Sequence, residues 1–317
     1  MTDQGGACRC LALTGDCQPA PPDLFYPWPL SACIQIETVG IRIAASTHIG
    51  FVRRARRLAR RFMEFTGLIG PYFRWQEHRI ARRPGERVND GRPMPPRDLI
   101  VAVSGTADER WFSERGRADA TKFMQTAQRH GLDSAAPVTV LDWGCGCGRI
   151  ARWVAEDVIR CGGQFHGTDL NTSLIRWCAE NLPGVYAENG LRPPLPLEDG
   201  HFDLVYAHSV LTHLTEAVAV AWLAECARIM KPGAVALLTF HDETFAKHWG
   251  PPEVGPALEG HPYLVWNNAL EGSNYLSAWT TRDYFAALAK SSNFDLIEII
   301  PGGQELPEQA LAVLRRQ

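Results

Sequence analysis

The run Val140–Leu141–Asp142–Trp143–Gly144–Cys145–Gly146–Cys147–Gly148–Arg149 joins a buried-strand pattern to alternating glycines and then to a helical stretch. Glycine has no Cβ, so such a loop reaches positive φ and lets backbone approach a ligand, while the helix that follows offers unpaired N–H groups. The run therefore predicts a turn that cradles a nucleotide. Its spacing is G-x-G-x-G, and Arg149 stands where a dinucleotide fingerprint has its third glycine, so a dinucleotide is disfavoured. Asp142, at the end of the strand, suits an ammonium group or an ordered water. Asp169 lies 21 residues after Gly148, at the end of the next predicted strand. Beside a glycine loop, a carboxylate there can accept hydrogen bonds from both hydroxyls of a ribose.

The elements that must position these residues alternate from Pro137 onward at the rhythm of a parallel sheet with crossover helices. Strands are predicted at Val138–Asp142, Gln164–Thr168, Gly184–Ala187, Phe202–Ala207 and Val235–Phe240, with two more at Phe294–Ile300 and Gln309–Arg315. Helices are predicted after the glycine loop, from Asn171 or Thr172 to before Pro183, over Thr215–Met230 and over Thr281–Ser292. Upstream, Asp108–Leu132 reads as one helix broken near Gly116. Arg82–Arg97, rich in proline and glycine, reads as a linker. Ile49 to about Arg83 is helical in pattern, with an apolar stripe through Phe51, Ala55, Leu58, Phe62 and Phe65. Its other face carries Arg53, Arg54, Arg56, Arg57, Arg60 and Arg61. Residues 1–30, with five prolines, read as a loosely ordered leader.

Bulk properties exclude several classes. The 317 residues carry a formal net charge of −3, so no global affinity for nucleic acid is expected. Basic character is local, with 13 Arg against 4 acids between His48 and Arg97. No uncharged apolar run reaches the length of a membrane span, and the N-terminal residues do not resemble a signal peptide. Nine cysteines, several on apolar helix faces such as Cys178 and Cys226, fit a reducing cytoplasm. Cys8, Cys10 and Cys17 lack the pairing and fourth ligand of a metal site, and no metal is expected.

The glycine loop resembles motif I of the class I S-adenosylmethionine-dependent methyltransferases. Three further strings resemble that family in the same order: Leu195–Pro196–Leu197–Glu198–Asp199–Gly200–His201–Phe202–Asp203–Leu204–Val205, Ser209–Val210–Leu211–Thr212–His213–Leu214, and Ile229–Met230–Lys231–Pro232–Gly233–Ala234. The resemblance covers roughly Trp111 to Arg316. It implies a Rossmann-like doubly wound α/β sheet of seven strands, parallel but for one antiparallel C-terminal strand, with helices on both faces. To this the sequence adds a helical N-terminal extension. The implied cofactor is S-adenosyl-L-methionine, with Asp142, Gly144, Gly146 and Gly148 around its amino-acid part, Asp169 on the ribose and Leu170 against the adenine. Glu188 and Asn189 fall where family members contact the adenine amino group, and Ala207 and His208 fall near the sulfonium and the acceptor. In members of this kind a helix upstream of the first strand often folds over the cofactor, and Phe112 and Arg117 are the residues here in place to do so.

A sulfonium carries its own leaving group, so methyl transfer needs mainly a nucleophile held in line. A hydroxyl acceptor gains from a general base. His241, followed by Asp242 and a long irregular segment, is the first choice, with His208 and His213 as the others. The domain organisation expected is a leader over 1–30, an N-terminal extension over 31–97 and a methyltransferase domain over 98–317. Within it, 242–280 forms an aromatic insertion that builds an acceptor lid or a satellite core. Two rules of thumb argue against base methylation: there is no Asn/Asp-Pro-Pro-Tyr/Phe string after strand four and no Pro-Cys nucleophile. The acceptor expected is an oxygen or nitrogen of a small molecule or a glycan- or lipid-linked group, with peripheral membrane contact through residues 51–61 open. RNA or protein methylation through the arginine face is the alternative, and a non-catalytic cofactor-binding module or a dehydrogenase is a different class.

Overall fold

The computed structural model describes residue 66 and residues 69–317 apart from 268 and 269. The arginine face over 53–61 and the cysteine trio lie outside the described residues. Two helices precede the sheet domain, α1 (Ile69–Ala81) and α2 (Arg97–Ser104), and a long helix α3 (Glu109–Arg129) leads into it. Then follow β1 (Thr139–Trp143), α4 (Ala151–Arg160), β2 (Gln164–Asp169), α5 (Thr172–Asn181), β3 (Val185–Glu188), β4 (Phe202–Ala207), a 3₁₀ turn over Leu211–His213, α6 (Glu216–Ile229) and β5 (Met230–Phe240). The chain continues through α7 (Glu243–His248), α8 (Val254–Leu258), β6 (Tyr263–Trp266), β7 (Ser277–Thr280), α9 (Arg282–Ser291), β8 (Phe294–Ile300) and β9 (Ala310–Arg316).

The sheet runs β3-β2-β1-β4-β5-β9-β8. Its strands are parallel except β9, which pairs antiparallel with both β5 and β8. The seven-stranded Rossmann-like sheet expected from the sequence is the one found. Successive residues of the central strands feed two cores, one on each face: Val140, Leu204, Tyr206, Val235 and Leu237 pack toward α3, α4 and α5, whereas Leu141, Val205, Ala207, Ala236 and Leu238 pack toward α6 and α9. Strands buried on both faces read as continuous apolar runs, which is why these strands are legible in sequence. The strand order reverses between β1 and β4, and the carboxyl ends of strands flanking such a switch point open a crevice.

Three local details depart from expectation. α3 is unbroken at Gly116, because the missing side chain serves packing: a Cβ there would stand 2.4 Å from the backbone oxygen of Arg149. Glycine here lets α3 lie against the start of α4. The Lys231–Pro232–Gly233 turn is absorbed into β5, whose pairing with β4 is irregular between Phe202 and Leu204. The proline- and glycine-rich segment before α2 is irregular but anchored, with the guanidinium of Arg152 donating to both oxygens of Asp90 at 2.8 and 2.7 Å.

Candidate functional site

A cleft of about 310 Å³ opens at the carboxyl ends of β1, β2 and β4. Its floor is the glycine loop. Gly144 and Gly146 both take positive φ (72° and 57°), and the N–H groups of Gly144 and Cys145 donate to the carbonyl of Thr168 at 2.7 and 2.9 Å, pinning the loop to the end of β2. A Cβ on Gly144 would stand 2.2 Å from Val210, and one on Gly146 would stand 2.8 Å from Val103, both residues of the cleft wall. Side chains at these positions would fill the space that the loop keeps open.

Asp169 is oriented before any ligand arrives: its carboxylate accepts from the N–H of Gly146 at 3.0 Å and from that of Asn171 at 2.9 Å. Burial pushes its carboxyl above the usual range, against the pull of these donors. Next to it the exposed Leu170 lines the same wall. Asn189 also lines the cleft, and its Oδ1 is buried with no hydrogen-bond partner. That orphaned acceptor fits an amino donor such as the exocyclic group of adenine. Asp142 is buried beneath the loop. Burial raises its carboxyl to about 7, although the hydroxyl of Tyr206 donates to it at 3.1 Å and Arg149 stands near, while Asp169 adds like-charge repulsion. Orphaned Oδ1, bare glycines and poised carboxylate together fit the adenosyl cofactor that the sequence implies.

The opposite wall is built after β4. His213 Nδ1 lies 2.8 Å from the carbonyl of Leu276, an acceptor that fixes the proton on Nδ1 and leaves Nε2 with its lone pair. Burial lowers the imidazole below its ordinary value, so the ring is neutral at neutral pH. Nε2 lies 3.4 Å from the Ser209 hydroxyl. Ser209 is held at φ 65° by a closed ring of hydrogen bonds. Its N–H donates to Thr239 Oγ1 at 2.7 Å, Thr239 donates to Gln309 Oε1 at 2.6 Å, and Gln309 Nε2 donates back to the Ser209 hydroxyl at 2.8 Å. A non-glycine residue in this conformation persists only where its surroundings impose it. His208 also lines the cleft, with Nε2 3.5 Å from Asp119, yet burial outweighs that carboxylate and lowers the ring to about 4.

Of the expected site residues, the structure brings Asp142, Gly144, Gly146, Asp169, Leu170, Asn189, His208 and His213 to one cleft. Four others are elsewhere. His241 is buried and stacked on Phe245 with ring centroids 4.0 Å apart, its Nδ1 at 3.1 Å from the carbonyl of Ala278, and burial lowers it to about 3. Asp242, the cue for preferring it, turns away to cap α7 and pair with Arg282. Glu188 is exposed and accepts from Thr172 at 2.8 Å, leaving the cleft to Asn189. Ala207 is sealed in the core, and Gly148 packs under the loop against Leu182. From α3 it is Trp111 that lines the cleft, while Phe112 is fully buried below.

The roof lies inside the 242–280 insertion expected to form an acceptor lid or a satellite core, but its partners on α1 and α2 are not foreseen from sequence. Loop 271–275, between β6 and β7, crosses the cleft: Gly272 lies against Leu170 and Leu191, and Asn274 donates to the carbonyl of Ala102 on α2. The Tyr275 hydroxyl donates to Glu77 of α1 at 2.6 Å, and its ring stacks on Phe73 at 3.7 Å. Most aromatic residues of the insertion close on one another instead, with Phe245, Trp249, Trp266 and Trp279 in a satellite core. No periodicity announces a contact between segments 198 residues apart.

Residues 140–233 match the family model described as methyltransferase domain. An uncharacterized 37.1 kDa protein in transposon TN4556 of Streptomyces fradiae is 31% identical over 137 residues, 42% of this chain and 39% of that protein. The 2-methyl-6-phytyl-1,4-hydroquinone methyltransferase of Synechocystis sp. is 31% identical over 116 residues, 35% of either chain. The chain thus spans well under half the length of these two relatives. A SAM-bound amino pentose methyltransferase from Micromonospora echinaspora is similar in structure, with a TM-score of 0.46 and 18% identity over 64% of this chain and 92% of that one. The glycine loop and the strand-end acid both fall inside residues 140–233, the segment that matches the methyltransferase domain.

Proposed function

We propose that the protein moves the methyl group of S-adenosylmethionine onto an oxygen or nitrogen of a small acceptor. The observation that carries this reading is His213, whose tautomer leaves a lone pair on Nε2 in the same cleft as the glycine loop and Asp169. When bound, the cofactor supplies an electrophilic methyl group on a sulfonium leaving group. Asp169 accepts from the ribose hydroxyls, Asn189 from the adenine amino group and Asp142 from the ammonium. His213 Nε2 takes the proton released as the acceptor attacks, and the Ser209 hydroxyl orients the same heteroatom. The modest volume and the roof over 271–275 support a small acceptor, or the small end of a glycan- or lipid-linked one, over a folded protein or a duplex.

Calorimetry with S-adenosylhomocysteine and with NAD tests the cofactor: micromolar or tighter binding of the first and none of the second is expected, and the reverse refutes the proposal. Acceptor classes are then screened with labelled methyl donor. Incorporation into small alcohols, amines or sugars agrees with the reading, whereas incorporation confined to RNA or protein overturns the acceptor half of it.

A further inference from the structure

The helix that holds the roof has a second face. Phe73 and Glu77 of α1, one turn apart, form its inner face and meet Tyr275 by ring stacking and a hydrogen bond. Tyr72, Trp75 and Arg79, at spacings of three and four, share the outer one. Tyr72 is 38% exposed and Trp75 53%, and no other described Phe, Tyr or Trp is exposed. Their ring centroids lie 6.2 Å apart, and the Arg79 guanidinium lies 4.7 Å from the centroid of the Trp75 ring.

Charge is sorted in the same way. Arg74, Arg79, Arg82 and Arg83 are exposed, and none makes an ion pair with a described residue. Glu77 is the one acid between Ile69 and Arg83, and its carboxylate is taken by the Tyr275 hydroxyl. Arginines just downstream do pair: Arg87 and Arg97 with Glu109, and Arg110 with Glu86. Four unpaired cations along one short stretch call for an anionic surface, either a nucleic-acid backbone or the headgroups of a bilayer. The two rings decide between them. A bilayer offers, beside its phosphates, the boundary layer in which amphipathic Tyr and Trp rings settle. Stacked bases need open ring faces, and Arg79 covers one face of Trp75. In sequence the helix follows the stretch from Phe51 to Phe65, where arginines accompany an apolar stripe, a composition that suits the same surface.

We propose that the outer face of α1 docks the protein on the surface of a bilayer that contains anionic lipid. Arg74, Arg79, Arg82 and Arg83 meet the headgroup phosphates, while Tyr72 and Trp75 enter the boundary between headgroups and acyl chains. The contact is peripheral, one helix face deep. Because the inner face of the same helix holds the roof, the docked helix separates bilayer from roof by about 10 Å, one helix diameter. Docking by this face does not depend on which ligand the cleft takes.

Cosedimentation of the full chain with vesicles tests this. Binding is expected to an equal mixture of phosphatidylcholine and phosphatidylglycerol, not to phosphatidylcholine alone, with release at about 1 M salt, where charge is screened within about 3 Å. Each arginine near such a surface corresponds to about fivefold in affinity, so Arg79→Gln combined with Arg82→Gln should weaken binding roughly 10- to 30-fold, with an unchanged circular dichroism spectrum. Brominated acyl chains should quench tryptophan fluorescence in the unsubstituted chain and do so less in Trp75→Phe. No sedimentation with the mixed vesicles overturns the assignment without any variant having to fold. Equal binding by the unsubstituted chain and the double variant overturns it too, because membrane contact would then lie elsewhere on the chain. Quenching that Trp75→Phe leaves undiminished refutes the insertion of the rings. Binding of a single-stranded RNA oligomer that the double variant loses, with no vesicle binding, overturns the proposal in favour of nucleic acid.

Discussion

In the proposed reaction, two side chains act through their protons. Asp142 keeps its proton in the fold up to about 7, whereas an ordinary aspartate loses it near 3.8. The folded state therefore holds more protons across that window, and this group's contribution to stability falls as pH rises from about 4 to 7 and is level beyond. Asp142→Asn should remove that slope in urea titrations and be more stable than the unsubstituted chain at about pH 8, by on the order of 2–4 kcal/mol. Because an ammonium favours the ionised form, affinity for S-adenosylhomocysteine should rise with pH through about 7 and become flat in the variant. A fold whose stability ignores pH in this range would refute the buried-acid account. His213 is the second. Its lowered value places the acid limb of the rate profile below the ordinary histidine range, and His213→Asn should cut turnover about 10²–10⁴-fold with cofactor affinity unchanged. Wild-type turnover in that variant would show that orientation alone suffices.

At the level of elements, the informative positions are those where a rule of sequence reading gives the wrong answer. Gly116 breaks no helix because helix propensity, worth about 1 kcal/mol, is weaker than the packing of α3 on α4. Gly116→Ala would gain that propensity and still lose stability, by about 1–3 kcal/mol net, since the new Cβ meets backbone that cannot rotate away. Urea unfolding measures it, and a stabilised variant would mean that the two helices separate freely. His241 illustrates the opposite error. A histidine after a strand and before an acid looks poised, yet its ring is taken up by Phe245 of α7 and by the carbonyl of Ala278 in β7, which no local pattern in 242–280 announces. Strands one, four and five were legible as apolar runs because both their faces are buried, and the glycine loop was legible by its spacing. The partners of the roof were not, because they are two helices joined by hydrogen bonds to an irregular loop far away in sequence.

The whole molecule couples the cleft to folding. Glycine loop, Asp169 and the roof come from segments that pack on both sides of the sheet, so a ligand in the cleft stabilises the domain as a unit. S-adenosylhomocysteine at 100 times its dissociation constant should add about 2.7 kcal/mol, which for a protein of this size raises the melting temperature by roughly 3–5 °C. A thermal scan that shows no shift at saturation would mean that the ligand binds outside the cooperative fold. Among the described residues no helix is long and apolar enough to cross a membrane.

The ring that fixes Ser209 closes through Gln309, which follows it by 100 residues and precedes β9. On a ribosome adding about 5–20 residues per second, Ser209 is made some 5–20 s before the side chain that completes its ring. β1, β2 and β4, with the glycine loop and Asp169, are already present in that interval. In the proposed reading, the residues assigned to the nucleoside are thus synthesised first, and the side chain that completes the ring around Ser209 is among the last of the cleft to be made.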